Sequence, residues 1–229
     1  MKVTRNTDKN FQRILYFIDK ATKRADIVCF PETCLVSDEK NVIKITKHLK
    51  AIQEKCRKNS LYCILGTYEK RNNKIFNVAY LIDRKGKIKY RYVKKHPWFS
   101  EKKYTTPGKS NKVVSTEFGK IAVIICWDFA FSDDLRKLAR DGARVIFSPN
   151  FLVDSRGAED VVKSTPQFRA FENLCYYVSA DAFTKRTACM SFICSPFKTL
   201  KKIVGKEGMI TANLDLNKIN KIRKSFDHF

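Results

Sequence analysis

Five apolar residues in succession, Ile121 to Ile125, stand between Gly119 and the polar exit Cys126-Trp127-Asp128. A short apolar run bounded in this way predicts a strand buried on both faces. Two dry faces need a layer on either side, and helices alternating with strands along the rest of the chain argue for α/β. The carboxyl end of such a strand is also where open α/β sheets place their ligands. Cys126 occupies that end. Taken alone it reads first as a small core hydrophobe, as free cysteines commonly are. The rest of the chain decides between packing and chemistry.

The flanking pattern agrees with alternating helices and strands. Phe11, Ile14, Leu15, Ile18 and Ala21 recur at helical spacing, so a helix is expected over 8–24 with Asp8 as its cap. Asp26 to Phe30 reads as a strand stopped by Pro31, with Glu32 just beyond it. A second helix is expected from Asp38 to Lys58, with Val42, Ile45, Leu49, Ile52 and Cys56 on its apolar face. Leu61 to Leu65 reads as a strand closed by Gly66. Residues 77–83 and 87–93 form a hairpin pattern across Arg84-Lys85-Gly86, and Lys94 follows its second strand. Residues 95–115, with Pro97, Pro107 and Gly108, read as a long loop of the kind that often carries function.

After the strand at 120–126, Ser132-Asp133-Asp134 caps a helix that Gly142 ends. A strand at 143–147 is stopped by Ser148-Pro149-Asn150. A loop with Asp154, Arg156 and Gly157 leads to a helix over 166–174. Strands are expected at 175–180, 189–194 and 209–216, and the basic tail 217–229 reads as a short helix or an arm. The chain is expected to form one domain, 1–229, of two packed sheets with helices outside.

Composition narrows the function classes. The longest apolar runs fall far short of a membrane span, and the polar start is no signal peptide, so a cytoplasmic location is the default. Eight cysteines without a C-x-x-C pair, and three scattered histidines, predict neither a zinc site nor a disulfide framework. The net charge is +23, from 46 Lys and Arg against 23 Asp and Glu. Those cations are spread along the whole chain and lack a stacking-aromatic motif. They read as a solvated surface rather than a nucleic-acid face.

Three reactive side chains share one structural position. Glu32, Lys94 and Cys126 each follow an expected strand, and strand ends converge along one sheet edge. Singly they read as a loop carboxylate, a surface lysine and a packing residue. Together they read as a site. A thiol needs a base, since its free pKa lies above neutrality. His96 is the one histidine nearby, and Glu32 can serve instead, because a carboxylate in a dry pocket exchanges protons near neutrality. Lys94 and the backbone N–H of Trp127 can then stabilise an oxyanion.

These residues resemble the nitrilase superfamily of carbon–nitrogen hydrolases over nearly the whole chain. Phe30-Pro31-Glu32 is similar to the segment with the family's general-base glutamate. Tyr92-Val-Lys-Lys-His96 resembles the lysine motif, with Lys94 on the catalytic position. Ile125-Cys-Trp-Asp128 resembles the nucleophile motif. Glu101-Lys-Lys-Tyr-Thr-Thr-Pro-Gly108 resembles the loop with a second, supporting glutamate, so Glu101 inherits that role. Arg169-Ala-Phe-Glu-Asn173 resembles a helix motif near the site. Each motif alone is weak; their shared order and spacing are specific.

The resemblance implies a four-layer α-β-β-α sandwich and a thiol-dependent hydrolase of amide or carbamoyl substrates working through a thioester. Trp127 and Asn150 fall to the oxyanion and substrate-binding set. No metal or cofactor is implied, and neither is a nucleic-acid or membrane partner. A homodimer or higher assembly through helix packing is implied.

Some features depart from the family. Only seven residues precede Asp8, so the strand that normally opens the family is expected to be missing or shortened. Phe131-Ser-Asp133 stands where Phe-Pro-Glu is common, and Cys189-Met-Ser191 lacks the glycine of a late motif. Phe129 and Ala130 stand where carbamoyl-amino-acid enzymes carry arginines, which argues against such an acidic substrate. Arg156 and Lys163 are the remaining candidates for an anion and otherwise read as solvated surface. The rival reading is a non-catalytic nitrilase-like scaffold or binding protein.

Overall fold

The computed structural model describes residues 1–153 and 159–226. Arg156, with Asp154 and Gly157, lies outside the described residues.

The chain builds two sheets. One has four strands in the order β1 (Ile27–Cys29), β2 (Tyr62–Arg71), β3 (Lys74–Ile82), β4 (Ile88–Val93). Its β1 runs parallel to β2, and the other pairs are antiparallel. The second sheet has six strands: β5 (Val114–Thr116), β6 (Gly119–Val123), β7 (Val145–Asn150), β8 (Tyr176–Asp181), β9 (Met190–Ser195) and β10 (Lys198–Val204). Its central β6-β7-β8 pairs are parallel and its outer pairs antiparallel. Helices α1 (Thr7–Ala21) and α2 (Thr46–Lys58) share a core with the outer face of the first sheet. Helices α3 (Ser132–Arg140) and α4 (Glu159–Glu172) cover the second sheet. This is the expected four-layer sandwich of two mixed sheets.

The run that opened the sequence reading shows why the layers form. Ile121, Val123 and Ile125 enter the core between the sheets, while Ala122 and Ile124 enter the core under α3 and α4. Side chains of a strand alternate between faces, so five consecutive apolar residues feed two cores at once. Tyr62 and Ile64 likewise face the inner core, and Cys63 and Leu65 face α1 and α2.

Several boundaries differ from expectation. The second helix starts at Thr46 rather than Asp38. The Asp38 carboxylate accepts bonds from the Lys40 N–H and the Asn41 amide, a local turn that competes with helix. The strand expected at 209–216 does not form. The partner of β9 is β10, across Pro196 and Phe197, and Leu216 opens α5 (Leu216–Ser225) with Asp215 as its cap. The helix expected from Pro166 begins at Glu159 and carries Pro166 inside it. Nor does Gly66 end its strand: β2 runs five residues further and turns at Asn72-Asn73, both at positive φ, into β3. Asparagine tolerates that left-handed pair better than most residues.

Candidate active site

Each site residue leaves its strand under a specific constraint. After β1, the chain at Pro31 and Glu32 crosses close over β2. A Cβ on Gly66 would stand 2.4 Å from the Pro31 carbonyl oxygen and 2.8 Å from the Glu32 Cα. Glycine is therefore required there by close approach, not by a turn. The Glu32 N–H donates to the Asn150 carbonyl at 3.3 Å, which ties the end of β1 to the end of β7 across the two sheets. Lys94 follows β4; its N–H donates to the Asn77 carbonyl at 2.9 Å. Glu101 opens a short 3₁₀ turn, Glu101–Lys103, inside the long loop.

These side chains meet in one buried cluster. The Lys94 ammonium donates to Glu32 Oε1 at 2.7 Å and to Glu101 Oε2 at 2.5 Å. The Asn77 amide donates to the same two carboxylates, at 2.7 Å to Glu32 Oε1 and 2.8 Å to Glu101 Oε1. Glu101 also accepts from the Trp98 N–H at 2.8 Å and the Tyr68 hydroxyl at 3.3 Å. Lys94 is 2% exposed and Glu32 3%, so no solvent screening weakens the cluster.

Cys126 begins the 3₁₀ turn Cys126–Ala130 at φ +45°. A left-handed non-glycine residue is strained and needs its surroundings to hold it. Asp128 does so. Its carboxylate accepts from the Ile125 N–H at 2.9 Å, the His96 N–H at 2.9 Å and the Tyr92 hydroxyl at 2.7 Å. Tyr92 lies two residues before Lys94, so one carboxylate clamps the cysteine turn to the lysine strand. The Cys126 thiol lies 4.0 Å from the Phe151 carbonyl.

The cluster carries two carboxylates and one ammonium, and the two carboxylates respond differently. Burial raises the pKa of Glu32 despite Lys94, and the neighbouring Glu101 charge raises it further. Burial also acts on Glu101, but the Lys94 ammonium and the bonds it accepts hold its pKa below the usual value. Burial opposes the Lys94 charge, yet the Glu32 and Glu101 carboxylates hold it more firmly protonated than a free lysine. The Cys126 thiol is pushed well up, first by burial and then by the Glu32 charge, with Lys94 acting the other way. Burial thus favours the thiol form of Cys126, and Glu32, whose charge acts on it, has a raised proton affinity of its own.

The other expected residues fall as follows. Trp127 packs edge-on against Trp98 at 4.5 Å and against Phe129 at 5.8 Å, forming an aromatic rim beside Cys126. Asn150 is buried with its amide held by Ser148 at 2.8 Å and Ser179 at 2.7 Å, and its carbonyl is the one that holds Glu32. The His96 ring meets Asp134 at 2.7 Å and stacks on Phe131. Arg169 of α4 donates to the Phe129 carbonyl at 2.7 Å, bracing the cysteine turn from behind. Lys163 is exposed beside Asp160, at 3.4 Å.

Asn77, Tyr68 and Asp128 emerge only from the structure. From sequence, Asn77 reads as the start of a strand and Asp128 as the exit of one. Asn77 in fact stands mid-strand in β3 and is buried, a misfit for asparagine that only the structure reveals.

The carbon-nitrogen hydrolase family model matches residues 1–224. The chain belongs to the carbon-nitrogen hydrolase family. The family is hydrolytic, and the chain is an enzyme of that type. Among relatives of this carbon-nitrogen hydrolase is a probable hydrolase, YhcX, of Bacillus subtilis, 32% identical over 195 residues. That match covers 78% of this chain but only 38% of YhcX. The 2-oxoglutaramate amidase of the same organism is 25% identical over 236 residues, covering 96% of this chain and 90% of that protein. The crystal structure of a carbon-nitrogen hydrolase from Helicobacter pylori G27 superposes with a TM-score of 0.90 at 20% identity. It covers 99% of this chain and 90% of that one, and at that identity it speaks for the fold.

Proposed function

We propose that this carbon-nitrogen hydrolase cleaves a neutral amide or carbamoyl substrate through a Glu32-Lys94-Cys126 triad and a thioester acyl-enzyme. One observation carries the reading: a buried lysine clamped between two carboxylates of opposite pKa tendency, bound through Asp128 to a strained cysteine turn. Glu32, whose proton affinity is raised, takes the proton from Cys126. The thiolate attacks the carbonyl carbon. Lys94 and the Trp127 N–H stabilise the oxyanion, and Glu32 returns the proton to the departing amine or ammonia. Glu32 then activates water to hydrolyse the thioester, freeing the acid and the thiol. Glu101 stays ionised and anchors Lys94. Asn150 acts through its carbonyl, which positions Glu32. Phe129 joins the aromatic rim instead of offering a cation, which suits a substrate without a carboxylate beside the scissile bond.

We read residues 1–229 as one catalytic unit, in the reducing setting that suits eight free thiols. A homodimer is the assembly expected. Exposed Phe168 and Phe171 on α4, with Phe197 beside Phe171 and Phe226 beside Phe197, form an apolar surface suited to a second copy. Light scattering that gives a monomer at micromolar concentration would remove that assignment.

The functional test is ammonia release from a panel of amides, carbamoyl-amines and nitriles. Turnover of an amide or carbamoyl compound is expected, and Cys126→Ala should lower it at least about a thousandfold. Turnover that survives this substitution sinks the mechanism. No turnover, with a Cys126 inert to alkylation, would instead support the scaffold reading.

A further inference from the structure

Two residues of the lysine motif, Lys95 and His96, take no part in the chemistry of the triad. Both side chains end on one carboxylate. The Lys95 ammonium donates to Asp134 Oδ1 at 2.7 Å and Oδ2 at 2.8 Å, and the His96 ring meets Oδ2 through Nε2 at 2.7 Å. An ionised carboxylate only accepts, so the ring donates from Nε2. The same ring lies flat on Phe131, with centroids 3.4 Å apart and planes 9° apart. Burial opposes the Asp134 charge, yet the bonds from Lys95 and His96 hold its pKa below the usual value. Asp134 stands in the first turn of α3 and Phe131 just before it, so both continue directly from the cysteine turn Cys126–Ala130. The lysine segment is therefore fastened to that turn twice. From within, the buried Asp128 takes the Tyr92 hydroxyl and the His96 N–H. From the outer side, Asp134 takes the Lys95 and His96 side chains. One carboxylate is a single point of attachment, about which a short segment can still turn. A second point, further along the chain, removes that freedom.

We propose that Asp134, together with Lys95 and His96, is a positioning latch that fixes the Lys94 ammonium relative to the Cys126 thiol. The proposal rests on the Glu32-Lys94-Cys126 triad assigned to this enzyme. The side chains of the latch are part-exposed, Asp134 at 30%, Lys95 at 32% and His96 at 22%. Charge pairs so open to water add little to stability, so the latch contributes to geometry far more than to folding. Rate does depend on geometry at this scale, since a misplacement of about 1 Å can cost about a hundredfold. Among the described residues, neither the Asp134 carboxylate nor the His96 ring hydrogen-bonds Glu32, Lys94 or Glu101. The latch thus acts through Lys94 and the cysteine turn. Its loss should slow the chemical step and leave substrate binding as it was.

Kinetics of Asp134→Ala and His96→Ala, alone and combined, test the latch on the amide or carbamoyl compound turned over fastest. Alkylation of Cys126 by iodoacetamide, followed on its own tryptic peptide, gives a readout that needs no substrate. Asp134→Ala should lower kcat about tenfold at unchanged KM and slow the alkylation of Cys126 about tenfold, with the urea midpoint kept. The combined variant should be no slower than the slower single one, because members of one network do not add. Asp134→Asn keeps an acceptor for one of the two donors and should recover kcat to within about threefold of the parent. A parental kcat in Asp134→Ala overturns the proposal, and so does a combined loss equal to the product of the single ones. A raised KM at parental kcat would place Asp134 on the substrate and equally overturn it. If Asp134→Ala does not fold, Lys95→Met takes its place, with kcat lowered about threefold at unchanged KM and urea midpoint; a parental kcat there overturns the latch. If no compound is turned over, a parental alkylation rate at Cys126 does so. Turnover that survives Cys126→Ala would remove the triad itself. An inactive Cys126→Ala beside a fully active Asp134→Ala would remove the latch alone.

Discussion

The end of β1 and the edge of β1 are a few residues apart and are built in opposite ways. At the end, Glu32 is held by Lys94, Asn77 and the Asn150 carbonyl, and the neighbouring elements are clamped by Glu101 and Asp128. Along the edge, Ile27 and Cys29 border a cavity of about 410 Å³. The difference shows which parts of the sandwich specify geometry by directed bonds and which rest on apolar contact alone. Buried charges demand full satisfaction, so the cluster is over-determined. Apolar packing carries no such demand, so a gap in it leaves the remaining fold intact.

The strongest break in this contrast is Lys94→Met. It leaves Glu32 and Glu101 buried side by side without their cation. Activity should fall by about a thousandfold and stability by about 3 kcal/mol, read by ammonia release and urea melts. Near-native activity in that variant would show that the cluster is structural only. Next comes Gly66→Ala. Its Cβ would collide with the Pro31 carbonyl and displace Glu32, so turnover should drop by roughly a hundredfold while the far side of the fold stays unchanged.

A smaller effect is expected in the pH profile. Glu32 must be ionised to accept the thiol proton, and burial has raised its pKa. kcat/KM should therefore fall about tenfold per pH unit on an acid limb above the ordinary carboxylate range. An acid limb at or below that range would place the titrating base elsewhere. The smallest effect belongs to the edge. Ile210→Ala trims a side chain that already faces the cavity and should cost under about 1 kcal/mol. Ile14→Ala, fully buried under the same sheet, should cost about 2–5 kcal/mol. Equal costs would mean the gap is packed in solution.

The chemistry was more legible in the sequence than its support. Glu32, Lys94, Glu101 and Cys126 stand in motifs tied to strand ends, and apolar runs mark those ends. Asn77 carries no such mark, because one polar residue in a strand looks the same whether it faces water or a buried ion pair. The missed β10 has the same kind of cause. Lys198 to Val204 is lysine-rich and largely exposed, so its pairing rests on backbone bonds that side-chain patterns do not report. Conversely, residues 209–214 have a strand's alternation, yet among the described residues no backbone hydrogen bond reaches them, so the pattern alone predicted pairing that is not found there.

By itself, then, the sequence determined the layers, since a run such as Ile121 to Ile125 can only be buried between two others. It also determined which reactive residues stand at strand ends. The tertiary structure alone decided what those residues do to one another. Proton affinity depends on burial and on charges a few ångströms away, and those neighbours come from β1, β3, β4 and the loop carrying Glu101.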